Sequence, residues 1–147
     1  AAVGGGATIL LHFDAVFIAP NAKIKYPFSD LGLAPEVGSS FLLFQSLGYQ
    51  QAAQLLFESQ PIDGNRYHEL GLAKYVGEDF FDEANKYAHM LKEQSLSSII
   101  ETKAILKAFM QEDLAKSRSM ETAAMKKLFG SEDNIKAVEK FFAKKNK

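Results

Sequence analysis

The chain has 147 residues, of which 47% are hydrophobic and 12 are phenylalanine, and its net charge is −1. This length and composition suit one globular domain with a buried core. The small net charge argues against nucleic acid or an anionic membrane as a partner. The chain has no cysteine, which excludes disulfides and thiol chemistry, and no apolar run reaches the roughly 18 residues of a membrane span.

The first forty residues predict short elements separated by turns. Gly4, Gly5 and Gly6 form a tight turn that opens a mostly apolar, buried helix ending near residue 13. Residues 15–19 are a continuous apolar run, typical of a strand in a sheet covered on both faces. Polar and apolar residues alternate over 23–26, which predicts a second strand, and a loop follows up to Gly38.

The rest of the chain is predicted to be largely helical. Ser39 and Ser40 can cap a helix that stops at Gly48, and residues 130–132 supply a break followed by a cap. The predicted helices cover residues 41–47, 50–58, 65–70, 79–94, 97–109, 112–129 and 132–142, with a short strand over 73–76.

These strands are too few for the burial that they require. Two or three short strands do not form a self-sufficient sheet, yet residues 15–19 need cover on both faces. We therefore expect the chain to be the C-terminal part of a longer protein, with the remaining strands supplied from outside it.

The glycine turn carries the first chemical signal. A turn of this kind presents bare backbone N–H groups, and the helix dipole adds positive charge at the same place. Such a turn binds an anion and can serve as half of an oxyanion hole. The alternative is a turn that merely lets a helix and a strand pack closely.

An ordered series of motifs extends over nearly the whole chain. They are A-V-G-G-G-A at 2–7, F-D-A-V-F at 13–17, A-K-I-K-Y-P-F at 22–28, L-G-L-A-P-E at 31–36, G-S-S at 38–40, A-A at 52–53, P-I-D at 61–63 and L-G-L-A at 70–73. This succession resembles the crotonase (enoyl-CoA hydratase/isomerase) superfamily. The resemblance implies an α/β fold: the C-terminal part of a crotonase-type (ClpP/crotonase) β-spiral with a helical trimerisation region.

The resemblance also implies that two parts of the chain have different roles. Residues 1–76 would form the spiral core that carries the glycine turn and the Glu36 loop. Residues 77–147 would form a helical tail that builds the oligomer and covers the active site. Family members bind acyl-CoA thioesters and stabilise an enolate with two backbone N–H groups. One maps onto Gly5 and the other lies upstream of this chain, so the chain alone is expected to be nearly inactive.

The acidic residues indicate which reaction of the family is expected. The two glutamates that activate water in the hydratases correspond to Thr8 and Phe28 here, and neither side chain can shuttle a proton. The Δ3,Δ2-enoyl-CoA isomerases of the peroxisomal type are more similar, since they carry a single glutamate after the L-G turn, as at Glu36. A lone carboxylate among apolar neighbours suits proton transfer between two carbons. The alternative for Glu36 is a solvated loop acid.

Three aromatic residues, Phe28, Phe41 and Phe44, are candidates to line the acyl pocket, with a role in the core as the alternative. No cluster of side chains has the spacing of a metal site. We expect no cofactor, because coenzyme A belongs to the substrate.

The predicted function is an enoyl-CoA isomerase of fatty-acid β-oxidation, which moves a 3-enoyl-CoA double bond to the 2-trans position. Glu36 is the predicted proton shuttle and the Gly5 N–H the predicted enolate donor. The alternatives are a hydratase-like acyl-CoA enzyme and a non-catalytic binding scaffold of the same fold. We expect an acyl-CoA thioester and other copies of the chain, as a homotrimer or hexamer, to be the partners. The expected compartment is the cytoplasm, with the peroxisome and the mitochondrion as alternatives.

Overall fold

The computed structural model describes residues 1–145 and contains two small sheets. The strands are β1 (Ala2–Val3), β2 (Phe17–Ile18), β3 (Lys23–Lys25), β4 (Ile62–Asp63) and β5 (Tyr75–Val76). In the first sheet, β3 lies between β1, to which it is parallel, and β4, to which it is antiparallel, with Ile24 opposite both Ala2 and Ile62. In the second sheet, β2 and β5 are parallel, with Phe17 opposite Tyr75.

Helices make up most of the remaining structure. The α-helices are α1 (Gly5–Thr8), α2 (Ser39–Glu58), α3 (Gly64–Glu69), α4 (Phe80–Lys92), α5 (Leu96–Leu128) and α6 (Glu132–Lys145), and Ile9–His12 and Ser29–Leu31 are 3₁₀-helical. No helix of the described residues has the length and apolarity needed to cross a membrane.

The first helix differs from its prediction. The α-helical part ends at Thr8 and the chain tightens into the 3₁₀ segment, which commonly forms where a helix ends. Burial also ends early: Ala7 and Thr8 of α1 are fully buried, whereas Ile9 at the start of the 3₁₀ segment and Phe13 after it are 53% and 60% exposed. The prediction of a buried helix up to residue 13 is therefore wrong.

One other predicted boundary is also wrong. The separate helices over 97–109 and 112–129 are one helix, α5, because Met110 and Gln111 between them are good helix formers. The predicted stop at Gly48 is confirmed, because Gly48 has a φ of 74° and a ψ of 169°, which is not helical, and α2 is divided there into two helical parts by a kink. Ser131 does cap α6 as expected, since its Oγ accepts from the N–H of Asn134 at 3.2 Å.

The core lies between the three-stranded sheet, α1, α2 and α3. Its buried hydrophobic members are Ala7, Ile18, Ile24, Tyr26, Phe28, Leu43, Ala52, Leu56, Tyr67 and Ala73. The hydroxyls of Tyr26 and Tyr67 are buried without a hydrogen-bond partner in the described part of the chain. Burial raises the pKa of both hydroxyls, and for Tyr26 the neighbouring Tyr67 adds to the rise.

The C-terminal helices dock on the loop that precedes α2. α5 packs against α2, and α6 packs against the 3₁₀ turn Ser29–Leu31. The amide of Asn134 donates to the carbonyl of Leu31 at 2.6 Å and accepts from the N–H of Gly130 at 2.9 Å. The predicted division into residues 1–76 and 77–147 stays a prediction, and residues 146 and 147 of that tail lie outside the described residues.

Candidate active site

The glycine turn has the geometry of an anion-binding turn. Gly4 has φ 57° and ψ −125°, a conformation that residues with a side chain rarely adopt. Its N–H donates to the carbonyl of Lys25 at 3.0 Å, which fixes the turn to β3. Gly5 is the first residue of α1, so the helix itself offers its N–H no acceptor. This N–H can therefore meet an external oxygen.

Glu36 lies beside this turn. A Cβ built on Gly5 would be 3.3 Å from Glu36 Oε1. The carboxylate is half-buried, and the Glu36 carbonyl accepts from the N–H of Ser39 at 3.0 Å, which closes the turn at the start of α2. The structure therefore brings together the two residues that the sequence predicted to be catalytic.

An open hollow of about 600 Å³ lies between the Glu36 turn and α5. The helix contributes the apolar Met125 and the two cationic side chains Arg118 and Lys126 to its lining. The loop contributes Pro35, Glu36 and Val37. Glu36 therefore borders this hollow, whereas Gly5 is not part of its lining.

The three predicted acyl-binding aromatic residues do not meet in one place. Phe28 is 4% exposed and belongs to the core, as in the alternative interpretation. Phe41 and Phe44 line a second hollow against α5, together with Met120, and Glu36 is not part of its lining. Acyl binding by Phe41 and Phe44 stays a prediction.

Thr8 and Phe28, the positions that the resemblance assigns to the hydratase glutamates, are both buried. Thr8 is fully buried, and its hydroxyl has no hydrogen-bond partner among the described residues. Phe28 lies in the core. Asp30, which precedes the L-G turn, forms an ion pair with Lys25 at 2.5 Å. Glu36 is therefore the carboxylate that the fold presents to the Gly5 turn.

Two further residues contact the Glu36 turn, namely His12, which the sequence predicts to be a helix-end histidine rather than a catalyst, and Glu121, which no sequence pattern indicates. His12 Nε2 lies 2.9 Å from the carbonyl of Val37, the residue after Glu36. Glu121 on α5 is 6% exposed, and Oε2 of its carboxylate accepts from the N–H of Gly38 at 2.6 Å. Glu121 stands in a long helix with no local motif, so nothing in the sequence marks it.

Comparisons with known proteins decide the family. The model of the family described as enoyl-CoA hydratase/isomerase matches residues 1–147. The chain belongs to this family. The expected crotonase fold is confirmed by a crystal structure of an enoyl-CoA hydratase/isomerase from Pseudoalteromonas atlantica T6c, with a TM-score of 0.90 and 28% identity over 97% of this chain and 58% of that one.

Two curated relatives of this enoyl-CoA hydratase/isomerase family member are named isomerases. The 1,2-epoxyphenylacetyl-CoA isomerase of Escherichia coli is 29% identical over 99% of this chain and 56% of its own length. The enoyl-CoA delta isomerase 2 of Rattus norvegicus is 27% identical over 99% of this chain and 38% of its own length. The chain thus spans about half the length, or less, of these relatives.

Proposed function

We propose that the intact protein is an enoyl-CoA isomerase that converts a 3-enoyl-CoA into the 2-trans isomer. The observation that carries this proposal is the position of Glu36, whose Oε1 lies 3.3 Å from a Cβ built on Gly5. A thioester oxygen held by the Gly5 N–H would place the carbons next to it within reach of this single carboxylate.

In the proposed reaction, Glu36 accepts the proton from C2 of the substrate. The electron pair of the broken C–H bond moves towards the thioester, whose oxygen becomes an enolate. The Gly5 N–H stabilises this oxygen, and because the charge develops only as the proton leaves, the bond favours the transition state over the ground state. Glu36 then returns the proton at C4, and the double bond shifts from C3–C4 to C2–C3. No cofactor is required.

Hydration is the second candidate, since the family description covers hydratases as well as isomerases. Hydration needs a group that activates water, and the structure places a buried threonine and a core phenylalanine at the two positions in question, Thr8 and Phe28. The names of the relatives cover both reactions: the protein of Rattus norvegicus is named enoyl-CoA delta isomerase 2, and those of Mycobacterium bovis and Mycobacterium leprae are named probable enoyl-CoA hydratase echA8.

The proposal includes assembly into a homotrimer or hexamer. Large hydrophobic side chains of α5 and α6 are exposed in the single chain, among them Phe109 at 81%, Ile105 at 58% and Phe142 at 57%. Such faces are typical of protein–protein interfaces. Light scattering on the intact protein measures the assembly.

The decisive experiment substitutes the carboxylate. Glu36→Gln in the intact protein is expected to abolish isomerisation of 3-hexenoyl-CoA while leaving acyl-CoA binding intact, since the amide has the same shape but cannot accept the proton. Hydration of 2-hexenoyl-CoA is measured alongside. Normal isomerisation by Glu36→Gln would refute the assignment of Glu36 as the base. If the wild type hydrates 2-hexenoyl-CoA faster than it isomerises 3-hexenoyl-CoA, the protein is a hydratase. If the wild type turns over neither substrate, the protein is a binding scaffold.

A further inference from the structure

The backbone after Glu36 is strained. Val37 has a φ of 56° and Gly38 a φ of 80°, both in the left-handed region. Glycine tolerates this conformation, but for a β-branched residue such as valine it is a genuine outlier. Strained backbone of this kind persists only where surrounding groups determine it. The contacts of these two residues therefore bear on the position of Glu36.

The peptide unit between Val37 and Gly38 is held through both of its polar groups. Its carbonyl, on Val37, lies 2.9 Å from His12 Nε2. Since a carbonyl oxygen only accepts, Nε2 is the protonated nitrogen in this bond. Its N–H, on Gly38, donates to Glu121 Oε2 at 2.6 Å. Rotation of this peptide unit would break both bonds.

Glu121 is itself fixed from the side of α2. Its Oε1 accepts from the N–H of Ser40 at 2.9 Å and from the Ser40 hydroxyl at 2.6 Å. The carboxylate thereby caps the start of α2, for which no side chain of that helix provides a cap. A buried carboxylate with this set of donors has little freedom to move.

His12 provides the link to the other catalytic element. It is the last residue of the 3₁₀ segment that continues from α1, the helix that Gly5 opens. One continuous short helical segment therefore carries the Gly5 N–H at its start and, at its end, the imidazole bound to the Glu36 turn.

We propose that His12 and Glu121 are positioning residues, which set the orientation of Glu36 towards Gly5 by fixing the Val37–Gly38 peptide from two sides. This inference rests on the proposed function of Glu36. It assigns to α5 a direct part in the geometry of the active site, because Glu121 reaches the Glu36 turn from that helix.

The test measures kcat and KM for 3-hexenoyl-CoA in the intact protein. His12→Leu removes the donor to Val37, whereas His12→Gln keeps an N–H at a similar reach. Glu121→Gln places an amide nitrogen against an N–H donor, and Glu112→Gln makes the same chemical change at an exposed position of α5. Circular dichroism reports whether each variant is folded at the assay temperature.

We expect kcat to fall about fivefold in His12→Leu and about tenfold to hundredfold in Glu121→Gln, with KM changed less than twofold, because the base is misplaced while the binding surface remains. His12→Gln and Glu112→Gln should stay within twofold of the wild type. Should Glu121→Gln not fold, the two His12 variants decide by themselves. Equal kcat in folded His12→Leu and His12→Gln overturns the proposal.

The Glu36→Gln variant, assayed in parallel, distinguishes failure of the positioning role from failure of the proposed function. If Glu36→Gln is inactive while His12→Leu and Glu121→Gln turn over normally, only the positioning role fails. If Glu36→Gln turns over normally, the proposed function fails and the positioning role with it.

Discussion

Substitution of Gly5 by alanine tests whether the glycine turn and Glu36 work as a pair. The new Cβ would lie 3.3 Å from Glu36 Oε1, which is tighter than an ordinary van der Waals contact of 3.4–4 Å. Alanine keeps the backbone N–H, so the enolate donor itself is retained. The substitution therefore acts on the carboxylate, which must move by a few tenths of an ångström.

The size of the effect follows from this displacement. A misplacement of about 1 Å can reduce the rate about hundredfold, so a few tenths of an ångström correspond to a loss of about fivefold in kcat, or about 1 kcal/mol of activation free energy. Gly6 provides the matched control, because a Cβ at that position meets no atom of residues 1–145 within 4 Å. Gly6→Ala is expected to retain kcat within about twofold.

Steady-state isomerisation of 3-hexenoyl-CoA by the intact protein measures both variants, and thermal unfolding verifies that both fold. Neither backbone position has a positive φ, so alanine strains neither of them, and the thermal midpoints should not fall. Equal kcat values for Gly5→Ala and Gly6→Ala would refute the idea that the Glu36 carboxylate acts next to the Gly5 amide.

Two further predictions concern stability. Gly38→Ala should lower the unfolding free energy by about 1 kcal/mol more than Gly71→Ala, which is the cost of an unfavourable side-chain rotamer. Both positions have a left-handed φ, of 80° and 76°, but among the described residues a side chain meets the new Cβ at Gly38 and not at Gly71: Leu114 Cδ1 would lie 2.4 Å away and would have to move. Equal losses in chemical denaturation would contradict close packing of α5 on the Glu36 turn. Burial raises the pKa of Tyr26 and Tyr67, so the native state holds these protons more tightly than the unfolded state. The raised pKa values therefore contribute to the free energy of unfolding. This contribution is complete below the ordinary tyrosine pKa of about 10 and is lost as the pH rises above it. Replacing both tyrosines with phenylalanine should therefore reduce the fall of the thermal midpoint between about pH 9 and about pH 11, and an unchanged fall would contradict the buried state of these hydroxyls.

The sequence was sufficient for elements that local chemistry controls. Three consecutive glycines predicted the turn at Gly4, since its conformation excludes most side chains. The serine at position 131 predicted the start of α6, because its hydroxyl satisfies a free N–H of the first turn. The ordered motifs predicted the family and, through it, Gly5 and Glu36 as catalytic candidates.

Predictions that depend on distant neighbours were less successful. The run over residues 15–19 contains only a two-residue strand, β2, because pairing with β5 determines the length of the ladder. The cap of α2 comes from Glu121, far along the chain, rather than from Ser39 or Ser40. Phe28 packs in the core because the strands and α2 enclose it.

By itself, then, the sequence determined the glycine turn, the helical character of the second half and the glutamate that follows the L-G turn, because turn conformation, helical periodicity and residue chemistry are local. Only the tertiary structure decided that Glu36 Oε1 lies beside Gly5 and that His12 and Glu121 hold the peptide after it. The His12–Val37 bond joins residues that are 25 positions apart, and the Gly38–Glu121 bond joins residues that are 83 positions apart. Such bonds form only once the helices have packed, and no local pattern of side chains encodes them.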